Sequence, residues 1–109
     1  MKPSIFNISQ QALIDNGLDV IDALILSWFS DFTTSGKMKS IKKKDEAYYL
    51  LYCQHIFDDL PIINERCYSI QMRVERYIEK GILEKYCDEN GETFHYIRLT
   101  KIWYDKFLV

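Results

Sequence analysis

The stretch Ile63–Thr100 limits most strongly what this chain can fold into. It starts with apolar residues at helical spacing, reaches Gly81, and continues as two strand-like runs, ILEKYC and TFHYIRL. The turn between these runs contains Asn90–Gly91, the strongest short signal for a β-hairpin. The pattern therefore predicts a helix that is capped by Asn64, runs to about Lys80, ends at a left-handed Gly81 and leads straight into a hairpin.

A long apolar helix is predicted to form the centre of the core. Asp19 is placed near its start and Gly36 lies beyond its end. A shorter helix before it has Ser9 as its N-cap and Gly17 as its stop. The apolar positions of the long helix recur at helical spacing and form a wide stripe: Val20, Ile21, Leu24, Ile25, Trp28, Phe29 and Phe32.

The middle of the chain predicts a hairpin and a short helix. KMKSI and EAYYLLY flank a lysine-rich turn, KKKDE, although the second run could equally begin a helix. CQHIFDDLP reads as a short helix stopped by Pro61, because the residue before a proline disfavours helical geometry. KIWYDKFL closes the chain as a short amphipathic helix capped by Thr100.

The order of these elements indicates one domain over residues 1–109, of the α+β class and mainly helical. A short helix, a turn and a longer helix followed directly by a two-stranded ribbon is a winged helix-turn-helix. In this chain the C-terminal β-hairpin is the wing, and a short terminal helix follows it.

Charge and cysteine content restrict the function classes. With 109 residues, a formal net charge of −2 and 48% hydrophobic residues, the chain is a folded protein that could bind a polyanion only through a local patch. Three cysteines are too few, and odd in number, for a disulfide framework, so reduced thiols in a cytoplasmic protein are expected. We expect no export signal and no membrane span.

The helix before Gly81 is the candidate DNA reader. On a helical wheel its apolar residues Ile70, Val74, Tyr77 and Ile78 share one side, and polar and basic residues occupy the remainder. Arginine can contact phosphate or guanine, and serine can add polar contacts to base edges. The residues predicted to contact DNA are Arg66, Ser69, Arg73 and Arg76. The alternative, about equally supported, is an ordinary amphipathic helix whose glutamates pair with these arginines.

A second basic feature is the segment KMKSIKKK. Its residues Lys39, Lys42, Lys43 and Lys44 are candidate phosphate contacts, and Lys37 adds to the same charge. The alternative is a solvated hairpin tip whose lysines discourage strand pairing, which is at least as well supported. The predicted wing tip, CDENGET, is acidic, so it should be repelled by phosphate.

The sequence gives little support to catalysis or metal binding. His55 and His95, together with the cysteines, match no zinc spacing, and no phosphate loop or carboxylate constellation is present. We therefore expect a protein that is not an enzyme and needs no cofactor or metal.

The ordered pattern of ISQQALIDNGLDVIDALILSWFSDF, GKMKS, a tyrosine-rich segment, DDLPII and KGIL resembles a known family. It is similar to the N-terminal winged-helix domain of replication initiators of phages and mobile elements, the replisome organisers and their DnaD-like relatives. The resemblance implies binding of double-stranded origin DNA and contact with replication proteins. Such initiators usually continue into a second domain, so the chain is either a piece of a longer protein or a stand-alone relative.

Two other functions fit the same pattern. A winged helix can serve as a protein-interaction module, including a homodimer formed through Ile102, Trp103 and Phe107, although packing of these residues within the chain is slightly favoured. A transcriptional regulator would share the fold and the DNA-binding face.

Overall fold

The elements of the fold are seen in a computed structural model that describes residues 2–36, 40–43, 45–86 and 96–109. They are, in chain order, β1 (Ser4–Ile5), β2 (Ile8–Ser9), α1 (Gln10–Asp15), α2 (Val20–Thr34), β3 (Ser40–Lys43), β4 (Glu46–Leu50), α3 (Cys53–Asp59), α4 (Cys67–Glu79), β5 (Leu83–Lys85), β6 (Tyr96–Leu99) and a terminal π-helix (Trp103–Phe107). The protein is α+β, as predicted.

Both predicted helix starts in the first third of the chain are confirmed. The Ser9 hydroxyl accepts the N–H of Ala12 at 3.2 Å at the start of α1. At the start of α2 the Asp19 carboxylate accepts the N–H of Asp22 at 3.1 Å, and the Asp22 carboxylate accepts the N–H of Asp19 at 2.9 Å. This reciprocal capping box satisfies N–H groups that have no partner inside the helix.

The main sheet has four antiparallel strands in the order β3-β4-β6-β5. Strand β4 pairs with β3 on one side and with β6 on the other, where Tyr49 faces Ile97. The tyrosine-rich run is therefore a strand rather than the start of a helix, and its hairpin with β3 is confirmed. The lysine-rich turn was placed too early, because Lys42 and Lys43 are part of β3 and pair with Ala47 and Glu46.

Helices α3 and α4 pack against each other. Helix α3 starts at Cys53, as predicted, whereas α4 starts later than predicted. Helix α3 ends at Asp59, just before Pro61, as expected. The Asn64 cap is wrong, because α4 begins at Cys67 with Arg66 in the extended N-cap position and without a side-chain cap. Ile63 is buried, and its N–H binds the carbonyl of Leu60 at 3.0 Å, which holds the chain in a turn at this point.

The terminal segment packs onto the end of α4. Thr100 was predicted to cap a final helix, but its hydroxyl donates instead to the carbonyl oxygens of Gly81 and Ile82. Trp103 and Phe107 are completely buried, which confirms packing within the chain for these two residues. They therefore cannot form the surface of a dimer.

One hydrophobic core joins these elements, and it contains the predicted apolar positions of α4 and all of those of α2 except Val20, which is exposed at the first residue of the helix. Its largest buried side chains are Trp103, Tyr77, Phe29, Phe107, Ile8, Leu26, Ile56, Ile70 and Ile82. No helix in the described part of the chain is long and apolar enough to cross a bilayer.

Gly81 tests the junction between α4 and β5. Its φ of +77° lies in the left-handed region, and an added Cβ would come within 3.1 Å of Ile102 Cδ1. We expect Gly81→Ala to lower the free energy of unfolding by about 1–2 kcal/mol, because L-residues with a Cβ are strained there.

Gly36→Ala is the matched control in the urea unfolding experiment. Gly36 has a similar φ of +74° but no atom of the described residues within 4 Å of the added Cβ, so it serves to isolate the backbone cost. A loss at Gly81 smaller than the loss at Gly36 would contradict the predicted contact with Ile102.

Candidate nucleic-acid interface

Helix α4 turns one apolar side towards the rest of the molecule. Ile70 and Tyr77 are buried, and Val74 and Ile78 are half-buried against the same core. This arrangement confirms the core face predicted from the helical spacing. Because successive residues are about 100° apart, the opposite side of α4 faces solvent.

Three of the four α4 residues that were predicted to contact DNA reach solvent. Arg66 is the exposed N-cap residue, Ser69 is half-exposed in the first turn, and Arg76 is exposed in the last turn. Neither arginine has an ion-pair partner among the described residues. At about 1.5 Å of rise per residue, the two cations are separated by roughly 15 Å along the helix. This separation is close to the width of the DNA major groove, which is about 12 Å.

Arg73 is held by three carboxylates instead. Its guanidinium donates to both oxygens of Glu65 at 2.8 Å, a bidentate arrangement. The remaining nitrogen, Nη1, donates to Asp22 at 2.8 Å and to Asp19 at 3.1 Å. Only 17% of the Arg73 side chain is exposed, so its charge is already matched inside the protein. We name Arg73, Asp19, Asp22 and Glu65 the carboxylate clamp.

Asp22 is the buried carboxylate of the clamp, with 1% of its surface exposed. It accepts hydrogen bonds from Arg73, from the N–H of Asp19 and from the hydroxyl of Tyr77. A buried charge is tolerated when it is paired and hydrogen-bonded in this way. The clamp therefore joins the start of α2 to the middle of α4.

The clamp shifts the pKa of the groups in it. The hydrogen bonds from Arg73 lower the pKa of the Glu65 carboxyl below its usual range. Partial burial raises the pKa of Asp19, but the N–H of Asp22 and the charge of Arg73 lower it by more, so the pKa of Asp19 lies below its usual value. Hydrogen bonding to Glu65 raises the pKa of Arg73, and burial beside Asp22 raises that of Tyr77. Arg73 therefore stays charged and Tyr77 stays protonated.

The sequence contained one sign of this role. On the helical wheel Arg73 lies about 40° from Tyr77, at the border of the core face, whereas Arg76 lies about 100° from Tyr77. An arginine at such a border can lay its stem over apolar surface and direct its head towards a partner. The partners could not be read from the sequence, because Asp19 and Asp22 are more than fifty residues away along the chain.

The lysine segment lies at the opposite edge of the sheet from the strand that follows α4. Lys42 is exposed on β3, which is an outer strand, and Lys43 belongs to the same strand. Lys39 and Lys44 lie outside the described residues. The strand order places β4 and β6 between β3 and β5, a separation of roughly 14 Å at the usual strand spacing. The lysine strand and α4 are thus two separate basic features. The acidic wing tip, including Asn90–Gly91, is likewise outside the described residues.

The expectation of reduced thiols is wrong for two of the three cysteines. Cys53 and Cys67 form a disulfide, with their Cα atoms 5.6 Å apart. They are the first residues of α3 and α4, so the bond ties the starts of these two helices together. Cys87 lies outside the described residues.

Histidine and carboxylate positions do not form a metal site in the part of the chain that the structure describes. His55 is exposed, and its ring meets that of Tyr52 edge to face at 5.5 Å. His95 lies outside the described residues.

Comparisons of the chain with protein-family models, curated proteins and solved structures give no match.

Removing the central cation of the clamp should destabilise the fold. We expect Arg73→Met to lower the free energy of unfolding by about 3 kcal/mol, because the buried Asp22 loses its cationic partner. Arg76→Met on the same helix should change it by less than about 0.5 kcal/mol, because Arg76 is exposed and has no ion-pair partner among the described residues. Urea unfolding of the two variants measures both values, and equal losses would contradict the clamp.

The clamp also predicts a dependence of stability on pH. Glu65 and Asp19 have lower pKa values in the folded protein, so the unfolded chain binds more protons in acid. Their stabilisation is complete above about pH 5 and is lost as the pH falls below about 4. Wild-type protein should therefore lose more free energy of unfolding between these two ranges than Arg73→Met, which lacks the cation responsible. Parallel slopes in urea titrations at stepped pH would exclude this assignment.

Proposed function

We propose that the protein binds double-stranded DNA through α4, as the winged-helix domain of a replication initiator or of a regulator on a phage or mobile element. The element order supports a winged helix. Helix α3 is followed by a short connection and the longer α4, and β5 and β6 follow at once as an antiparallel pair that β4 extends. In such a fold the second helix enters the major groove.

The observation that carries this proposal is the unpaired charge on α4. Arg66 and Arg76 have no carboxylate partner in the described part of the chain, and Ser69 lies between them along the helix. Arg73 serves a different purpose, because it fixes α4 against α2 and so holds the other three residues in place. The net charge of −2 limits attraction to this local surface. The role in replication rests on the resemblance of the sequence to initiator domains.

The lysine strand is a second proposed contact with phosphate. Lys42 is exposed at the outer edge of the sheet and faces Ala47 in the register of the hairpin, so β4 offers no carboxylate directly opposite it. We therefore assign it to sequence-independent attraction, separate from any reading of bases by α4.

The decisive experiment is fluorescence anisotropy of a labelled DNA duplex at several salt concentrations. We expect wild-type protein to bind and Arg66→Ala/Arg76→Ala to bind at least about tenfold more weakly, since two phosphate or base contacts are lost. The slope of log K against log salt should fall by about 2 in the double variant. Arg73 is left unchanged, because its loss would disturb the fold.

Lys101→Ala/Lys106→Ala is the matched control for this titration. Both lysines are exposed in the terminal segment, and their removal lowers the net charge by the same amount. Equal weakening of DNA binding in the two double variants would show that net charge, and not the position of the arginines on α4, explains the loss. Absence of wild-type binding even at low salt would refute the proposal.

The alternative function is that of a protein-interaction module, and one observation favours it. The outward side of α4 carries Tyr68 and Met72 one helical turn apart, with 69% and 48% of their surfaces exposed, and Ile62 just before the helix is 79% exposed. Tyrosine and methionine are enriched in protein–protein interfaces. If the duplex titration shows no binding, this surface becomes the leading candidate.

A further inference from the structure

Two neighbouring hollows lie along the side of α2 that is opposite Asp22. The first, of about 490 Å³, lies between α2 and the end of α3, and the second, of about 270 Å³, lies between α2 and the terminal segment. Ser27 and Asp31 line both of them. The two hollows therefore form one trough, which we call the acidic trough.

The described lining of the trough is negatively charged. Among the described residues that line the two hollows, the ionisable ones are Asp31 and Asp59, and none is a lysine or an arginine. Asp59 accepts the indole N–H of Trp28 at 2.6 Å, which orients the carboxylate without neutralising it. Asp31 is exposed, and its carboxylate has no ion-pair partner among the described residues. This charge complements a cationic ligand.

The first hollow also has an aromatic wall. The rings of Trp28 and Phe32 are stacked, with their centroids 5.1 Å apart and an angle of 17° between the planes. Lysine and arginine stems pack well on such surfaces, and their charged heads are attracted by the ring faces. Carboxylates beside aromatic rings are thus suited to a basic side chain rather than to a bare metal ion.

One residue that lines the second hollow carries a hydrogen-bond donor without an acceptor among the described residues. Trp103 is completely buried, and its Nε1–H has no partner among the described residues. A buried donor left unpaired is costly, so such groups are rare and call for a ligand or water. Phe6 and Leu108 line the same hollow as Trp103 and are both exposed.

We propose that the acidic trough binds a basic peptide segment of a partner protein. Asp31 and Asp59 pair with its lysine or arginine head, and the stem lies on Trp28 and Phe32. A main-chain carbonyl of the peptide accepts the N–H of Trp103 after Phe6 or Leu108 moves aside. A peptide is the ligand that offers both a cation and a carbonyl acceptor. This site is independent of the proposed DNA contact on α4.

The chain has two tryptophans, and both line the trough, so its intrinsic fluorescence reports directly on occupancy. The probe is a capped peptide without aromatic residues in which two arginines flank one leucine. We expect a saturable change in tryptophan emission with a dissociation constant on the order of 100 µM. The same peptide with glutamates in place of the arginines should give no saturable change.

Three variants separate the trough from general electrostatics. Asp31→Asn should weaken the arginine peptide by roughly three- to tenfold, the effect of one partly desolvated ion pair. Trp103→Phe keeps an aromatic ring but removes the donor, and should weaken it by a similar factor, with Trp28 as the remaining reporter. Asp45→Asn removes one exposed charge in the β3–β4 turn, outside the trough, and should change the affinity by less than about twofold.

Several results would overturn the proposal. These are no saturable change with the arginine peptide, equal binding of the glutamate peptide, or wild-type affinity in Asp31→Asn. Equal affinity for spermidine would also overturn it, since a polyamine has no carbonyl acceptor. Duplex binding by Asp31→Asn is measured in parallel. It should equal that of the wild type, so failure of this site and failure of the DNA proposal remain distinguishable.

Discussion

The bond between Arg73 and the buried Asp22 determines how the two main helices meet. Asp22 is also part of the capping box of α2 and accepts the Tyr77 hydroxyl, so a single carboxylate caps the start of one helix and positions another. Neither partner could be buried alone without a large cost in solvation. Charge pairing therefore acts together with apolar packing to hold α4 against α2.

This constraint gives different roles to arginines that lie on one helix. Arg73 is enclosed by Glu65, Asp19 and Asp22, whereas Arg76, three residues later, is exposed and has no ion-pair partner in the part of the chain that the structure describes. Of the α4 arginines that were predicted to contact DNA, Arg73 pairs with a glutamate, and Arg66 and Arg76 do not pair with one among the described residues. One cation can thus anchor a helix while others remain available to a ligand. On α4 the anchoring Arg73 and the exposed Arg76 are about one helical turn apart.

The fold was readable from the sequence wherever local chemistry decided it. The Ser9 and Asp19 caps, the stop at Gly81, the apolar face of α4 and the hairpin before α3 follow from residue type and spacing. The failures involve distant partners. Asn64 does not cap α4, and the neighbouring Ile63 is buried. The Thr100 hydroxyl donates to the carbonyl oxygens of Gly81 and Ile82, and Cys53 forms a disulfide with Cys67. The candidate site was only partly predictable from the sequence. Helical spacing predicts which residues of α4 are exposed, but it does not predict which carboxylates pair with Arg73.

The Cys53–Cys67 bond has a consequence for the unfolded chain. It closes a ring across a sequence separation of 14, which contains all of α3 and the turn that leads to α4. When the protein denatures, this ring persists, and the chain-entropy description assigns about 3 kcal/mol to a closed loop of this size. The segment from α3 to the start of α4 thus remains compact in every denatured conformation. Refolding then starts from a chain in which the first residues of α3 and α4 are already neighbours.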